Sequence, residues 1–226
     1  MYSKFISLFS ATLLFMSCKE TPKKNLALLT TAVVLDSETV KTRELSQEFK
    51  DYWYAGKAEI TSYELKQARY GELREGTAVT IFVTEDFLPK AQVKANNQSK
   101  DNIPVLKLNS TKKFLTGVYP YSIMTSTFNP VNSKEHALKV SNSVQEWCGH
   151  VYAQLNNKKE FEITAHSYFE GEADQNMKLP KTWLENELWN LIRIDPKELP
   201  TGEAEIIPSF DYLRLGHKNL KAYRAV

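Results

Sequence analysis

Two alternating runs that meet across a polar turn, in VQEWCGHVYAQLNNKKEFEITAHSYF (residues 144–169), constrain the fold more than any other stretch of the chain. Trp147, Gly149, Val151, Ala153 and Leu155 share one side of the first run, and Phe161, Ile163, Ala165 and Phe169 share one side of the second. This period of two belongs to half-buried strands, so the stretch predicts a β-hairpin. Both apolar sets can lie on one side of a sheet only if paired residues have numbers of equal parity. The turn through Asn156–Lys159 must then leave an odd number of residues unpaired. The even positions form the other side, with Glu146, Cys148, His150 and Tyr152 facing His166, Tyr168 and Glu170.

The remaining segments extend this pattern. Ser46 caps a short helix predicted over residues 46–55, which stops before Gly56. Residues 57–70 and 77–87 read as another hairpin, the second run being rich in β-branched and aromatic residues. Residues 89–102 read as a polar loop, and 105–108, 113–115 and 119–130 as strands. Over residues 182–194 the period changes: Trp183, Leu184, Leu188, Leu191 and Ile192 recur at helical spacing, Thr182 is placed to cap, and Asp195-Pro196 stops the run. EAEIIPS (203–209) and the segment from Tyr212 to Val226, with a turn near Gly216, read as strands. The last of these meets no polar stop, which predicts either continuation in related chains or pairing up to the terminus. There is no internal repeat. The sum is an α+β fold, a mostly antiparallel β-sheet with two or three helices packed on it, compatible with a curved half-barrel.

The chain opens MYSKFISLFSATLLFMSCKE, a basic residue followed by an apolar run too short to span a bilayer comfortably and then Ser17-Cys18. This start resembles a bacterial lipoprotein signal, in which the cysteine is acylated and becomes the mature N-terminus. The resemblance implies a signal peptide over residues 1–17, lipidation at Cys18, a tether over 18–25, and a single β-rich domain over 26–226 anchored in the cell envelope. The apolar run Leu26–Leu35 is compatible with a buried strand or helix. With Cys18 lipidated, Cys148 is the only cysteine left and no internal disulfide is expected. Lys and Arg number 29 against 27 Asp and Glu, a balance of +2 that carries no nucleic-acid footprint.

Chemistry-bearing motifs are sparse. WCGH (147–150) lacks the second cysteine that thiol exchange needs, since Val151 stands where the resolving thiol would be. Cys148, His150 and the cross-strand His166 form the sharpest constellation, two nitrogens and a sulfur of the softness that zinc or copper accepts. A thiol enzyme using Cys148 with His150 as base is the alternative use of the same residues. No GxSxG, GxGxxG, phosphate-cradling loop or isolated carboxylate pair occurs, so nothing calls for a cofactor or favours an enzyme.

Together with the lipoprotein start, YWYAGKAEITSYELKQARYGE, KKFLTGVYPYS, QEWCGH, SYFEGE, LENELWNLIRIDP and LPTGEAEIIPS resemble a family of uncharacterised envelope lipoproteins of Bacteroidota. Such sequences sometimes carry the label septum formation inhibitor Maf. The SxRR motif of those nucleotide pyrophosphatases is missing, and their activity is not carried over. The resemblance implies localisation: a lipid-anchored protein whose partners are the membrane and an apolar ligand or envelope protein held against the sheet.

Overall fold

Across the middle of the main sheet Phe82, Leu108, Thr127, Val140, Leu155 and Ile163 stand side by side in register, all buried. A computed structural model gives the structure of residues 41–226. The signal segment, Cys18, the tether and the run Leu26–Leu35 lie outside the described residues. In chain order the elements are α1 (Gln47–Trp53), β1 (Glu59–Arg69), β2 (Glu72–Leu88), β3 (Val93–Lys94), β4 (Ile103–Thr116), β5 (Tyr119–Pro130), β6 (Lys139–Glu146), β7 (Gly149–Asn157), β8 (Phe161–Ser167), β9 (Gln175–Leu179), β10 (Trp183–Leu184), α2 (Glu185–Ile194), a 3₁₀ turn (Pro196–Glu198), β11 (Ala204–Ile207), α3 (Phe210–Leu215) and β12 (Tyr223–Ala225). β1, β2 and β4 to β9 form an antiparallel meander in that order, with β3 against β2. β10, β11 and β12 make a second, small sheet. The fold is α+β, and the large sheet is extensive and not closed.

Sequence explains why strands alternate so regularly here. On β7 and β8 the odd positions Val151, Ala153, Leu155, Phe161, Ile163 and Ala165 are buried. Asn157 pairs with Phe161, so three residues stay unpaired in the turn, the odd number that parity demands. All of these side chains but Val151, which packs with Phe114, Tyr121, Ile123 and Val144, join Leu184, Ile207, Phe210 and Leu213 in one core cluster. A second cluster, with Phe49, Trp53, Phe82, Leu106, Leu108 and Ile194, seats α1 and α2 on the sheet. Each such side chain contributes roughly 1.5–3 kcal/mol when withdrawn from water.

Four expectations need correction. Residues 103–116 form one strand rather than two, because Asn109–Lys112 pair on both sides, with β2 and β5, despite their polarity. Phe210–Leu215 is a helix: Phe210, Leu213 and Arg214 lie three and four apart and are all buried, a spacing a strand could not satisfy. In α2 the buried face is Asn186, Glu187, Asn190, Leu191 and Ile194, while Ile192 is exposed and Leu188 only half-buried. Two of the three polar groups on that face are buried with partners. Glu187 accepts from the backbone N–H groups of Ala137 (2.7 Å) and Leu184 (3.1 Å), and Asn190 donates to Asn129 Oδ1 (2.7 Å) and to the Leu106 carbonyl (3.2 Å). Thr182 does not cap α2 but donates to the Glu205 carbonyl. At the last strand, β12 pairs with β11, Ala225 opposite Ala204.

Candidate functional site

The polar constellation expected on the 144–169 hairpin is split by a tight turn. Glu146 pairs with Gly149, so Trp147 and Cys148 are the two loop residues joining β6 to β7. Across such a turn paired residues have numbers of opposite parity. The inward positions on β6 are therefore even, and Glu146 points into the core, 3% exposed, rather than sharing a face with His150. Trp147, expected in the core, is 65% exposed at the tip. Cys148 is an exposed free thiol whose backbone N–H donates to Glu146 Oε2 at 2.8 Å. Desolvation and the adjacent Glu146 carboxylate push that thiol up, away from the thiolate a nucleophile needs. Tyr152 and His166 do face each other on the outer side, and His166 Nδ1 lies 2.8 Å from Asp174 Oδ1. Cys148, His150 and His166 are not gathered: among the described residues no group of three His, Cys, Asp or Glu side chains is arranged to hold a metal.

Glu146 instead anchors an ionic cluster near the hairpin tips, buried at Glu146, Arg214, Arg69 and Tyr121 and open to solvent at Tyr70 and His217. Arg214 of α3, 4% exposed, donates to Glu146 Oε1 at 3.3 Å and lies 3.8 Å above the Phe169 ring. His217 Nδ1 meets Glu172 Oε1 at 2.6 Å. Arg69, at the end of β1, donates to the Leu215 carbonyl and to Tyr70 Oη at 3.1 Å, and Tyr70 Oη lies 3.1 Å from Tyr121 Oη. Burial, reinforced by the Tyr70 hydrogen bond, pushes the Tyr121 phenol up to about 12. Every member engages another, so the cluster pins three hairpins and α3 together rather than presenting a reactive group.

The most ligand-like space lies elsewhere on the same face. β2, β4 and β5 carry Ala78, Thr80, Ser110 and Thr125 there, small side chains between a row holding Phe82 and Leu108 and a row holding Phe114 and Tyr121. With only small side chains in the row Thr80–Ser110–Thr125, α2 and the start of α3 bridge over it and leave a cleft of about 350 Å³. Leu65, Phe82 and Leu108 supply apolar wall, and Tyr63 and Trp189, 47% and 55% exposed, also line it. Lys112 reaches in from β4 and bonds Asp211 Oδ2 of α3 at 2.5 Å. Arg193 of α2 covers the Phe82 ring at 3.6 Å and is paired with Glu59 Oε1 at 2.7 Å. Asn186, nine-tenths buried on the first turn of α2, completes the lining together with Glu64, Glu185 and Ser209.

None of these cleft residues stands in a recognisable motif. The only sequence signal was the polar interruption Asn109–Lys112 inside an otherwise apolar strand pattern, and it reads equally well as a loop. No family profile, curated protein or solved structure matches the chain.

Proposed function

We propose that the protein is a non-enzymatic, lipid-anchored envelope protein that holds a small ligand by its apolar face in the cleft between the sheet and helices α2 and α3. The observation that carries this reading is the cleft itself. It is a concave, preformed space with apolar walls and a few convergent polar groups, the usual make-up of a small-molecule site. An enzymatic reading is less favoured, because the exposed Cys148 is shifted away from thiolate and its neighbouring carboxylate is tied to Arg214. Attachment to the membrane through Cys18 accompanies the proposal on the strength of the signal-like start, with an envelope protein as the alternative occupant of the sheet.

Filling the cleft tests it. Ser110→Phe places a ring on the floor, where Ser110 is half-buried and flanked by Thr80 and Thr125. The wild-type chain should bind a neutral apolar fluorescent probe such as N-phenyl-1-naphthylamine saturably. Ser110→Phe should weaken that binding at least about tenfold, which corresponds to about 1.4 kcal/mol, with the far-ultraviolet circular dichroism unchanged. Equal probe binding by both chains would remove the cleft as the site.

A further inference from the structure

We propose that the ligand of this cleft is a neutral, hydroxylated ring, a saccharide unit. The inference rests on the cleft being a binding site and adds the chemistry it selects. Three properties of the lining point the same way. First, its charges are already spent: Lys112 is bonded to Asp211 at 2.5 Å and Arg193 to Glu59 at 2.7 Å, and Glu185 adds a third carboxylate to these two cations. An anionic ligand such as a fatty acid or phosphate would meet no free cation and an excess of like charge. Second, neutral groups able both to donate and to accept converge on the space. The Asn186 amide, nine-tenths buried, takes no hydrogen-bond partner from the described residues, and the Ser110 hydroxyl on the floor is likewise uncommitted. Lys112 keeps two further N–H donors and Asp211 Oδ1 remains an open acceptor, so the ion pair can serve a hydroxyl on either side. A polar floor of this kind penalises an acyl chain, which would leave those groups unpaired. Third, Trp189 and Tyr63 present half-exposed aromatic faces, on which the C–H face of a sugar ring stacks while its hydroxyls reach inward.

Isothermal titration calorimetry on the full chain tests the class, in a detergent without a sugar headgroup such as lauryldimethylamine oxide. The titrants are glucose, galactose, mannose, N-acetylglucosamine and the disaccharides cellobiose and N,N′-diacetylchitobiose, each at about 10 mM, enough to saturate a millimolar site nearly fully. At least one should bind. Trp189→Ala, at a side chain too exposed to support the core, should weaken that binding at least about tenfold through the lost stacking surface. Asn186→Ala should do the same through the lost amide, and sodium palmitate should not compete. Binding by none of the six sugars overturns the proposal, as does sugar binding that Trp189→Ala leaves unchanged. If the apolar probe still binds and Ser110→Phe still blocks it, the cleft stands and only the saccharide class falls. If neither probe nor sugar binds, the cleft reading falls with it.

Discussion

Glu146 is the residue on which the far end of the sheet depends. Its two oxygens serve the Arg214 guanidinium and the Cys148 backbone N–H, and both it and Arg214 are almost fully withdrawn from solvent. Glu146→Ala would strand a buried guanidinium and is expected to cost roughly 3–5 kcal/mol. The further change Arg214→Met should recover much of that loss by removing the orphaned charge, and urea midpoints of the two variants check both halves. Tyr121 supplies the pH-dependent part of the same cluster. Its phenol moves from an ordinary 10.0 to about 12, so the folded chain holds this proton more tightly than the unfolded chain does. Between those values the unfolded state deprotonates first, and stability falls as pH rises. The loss of midpoint from about pH 9 to about pH 11 should be steeper for wild type than for Tyr121→Phe; parallel curves would assign the alkaline loss to another group. Sequence carried little warning of this cluster. Glu146 looked like one more polar position on an alternating strand, and only the two-residue turn at Trp147-Cys148 turns it inward.

At the scale of elements, hairpins were the most legible feature and polar interiors the least. The β7–β8 pair follows from apolar parity alone, since a slip of one residue would drive Leu155 and Ile163 into water. The β1–β2 turn falls at Tyr70-Gly71, both in the left-handed region (φ 55° and 77°), where glycine is the residue that makes such a two-residue loop inexpensive. Helix α2 was found but its buried face was misjudged, because Glu187 and Asn190 are buried through partners distant in sequence and Asn186 by the cleft, which no local period reveals. Strand β4 was cut in two for the same reason. Where β2 crosses β4 the backbones approach so closely that a Cβ on Gly76 would lie 2.1 Å from the Lys113 carbonyl oxygen. Gly76→Ala should therefore separate the two strands locally and cost roughly 1–3 kcal/mol, the usual penalty of overpacking. A melting temperature equal to wild type would mean that this crossing has room the geometry does not suggest.

For the whole molecule, composition and alternation point to the α+β class and to a mostly antiparallel sheet, because a chain with so many short alternating runs and few helical periods has few other ways to bury its apolar faces. What alternation could not place is the cleft, since a site made by missing bulk leaves small, polar residues that resemble turns. The proposed attachment through Cys18 is a property of the same scale. No described helix is long and apolar enough to cross a membrane, and the described exposed apolar residues, from Ile60 to Trp147 and Tyr212, are spread over several elements. If the acyl chains on Cys18 are the anchor, Cys18→Ser should leave the chain without them and shift it from the membrane pellet to the supernatant after a carbonate wash. Covalent lipid contributes about 0.8 kcal/mol per buried methylene, so its loss removes most of the membrane affinity. The variant should keep the wild-type melting temperature, because the core clusters of the described residues involve no residue before Leu45. A Cys18→Ser chain that lacks lipid and still sediments with membranes after the wash would show that another part of the protein holds it there.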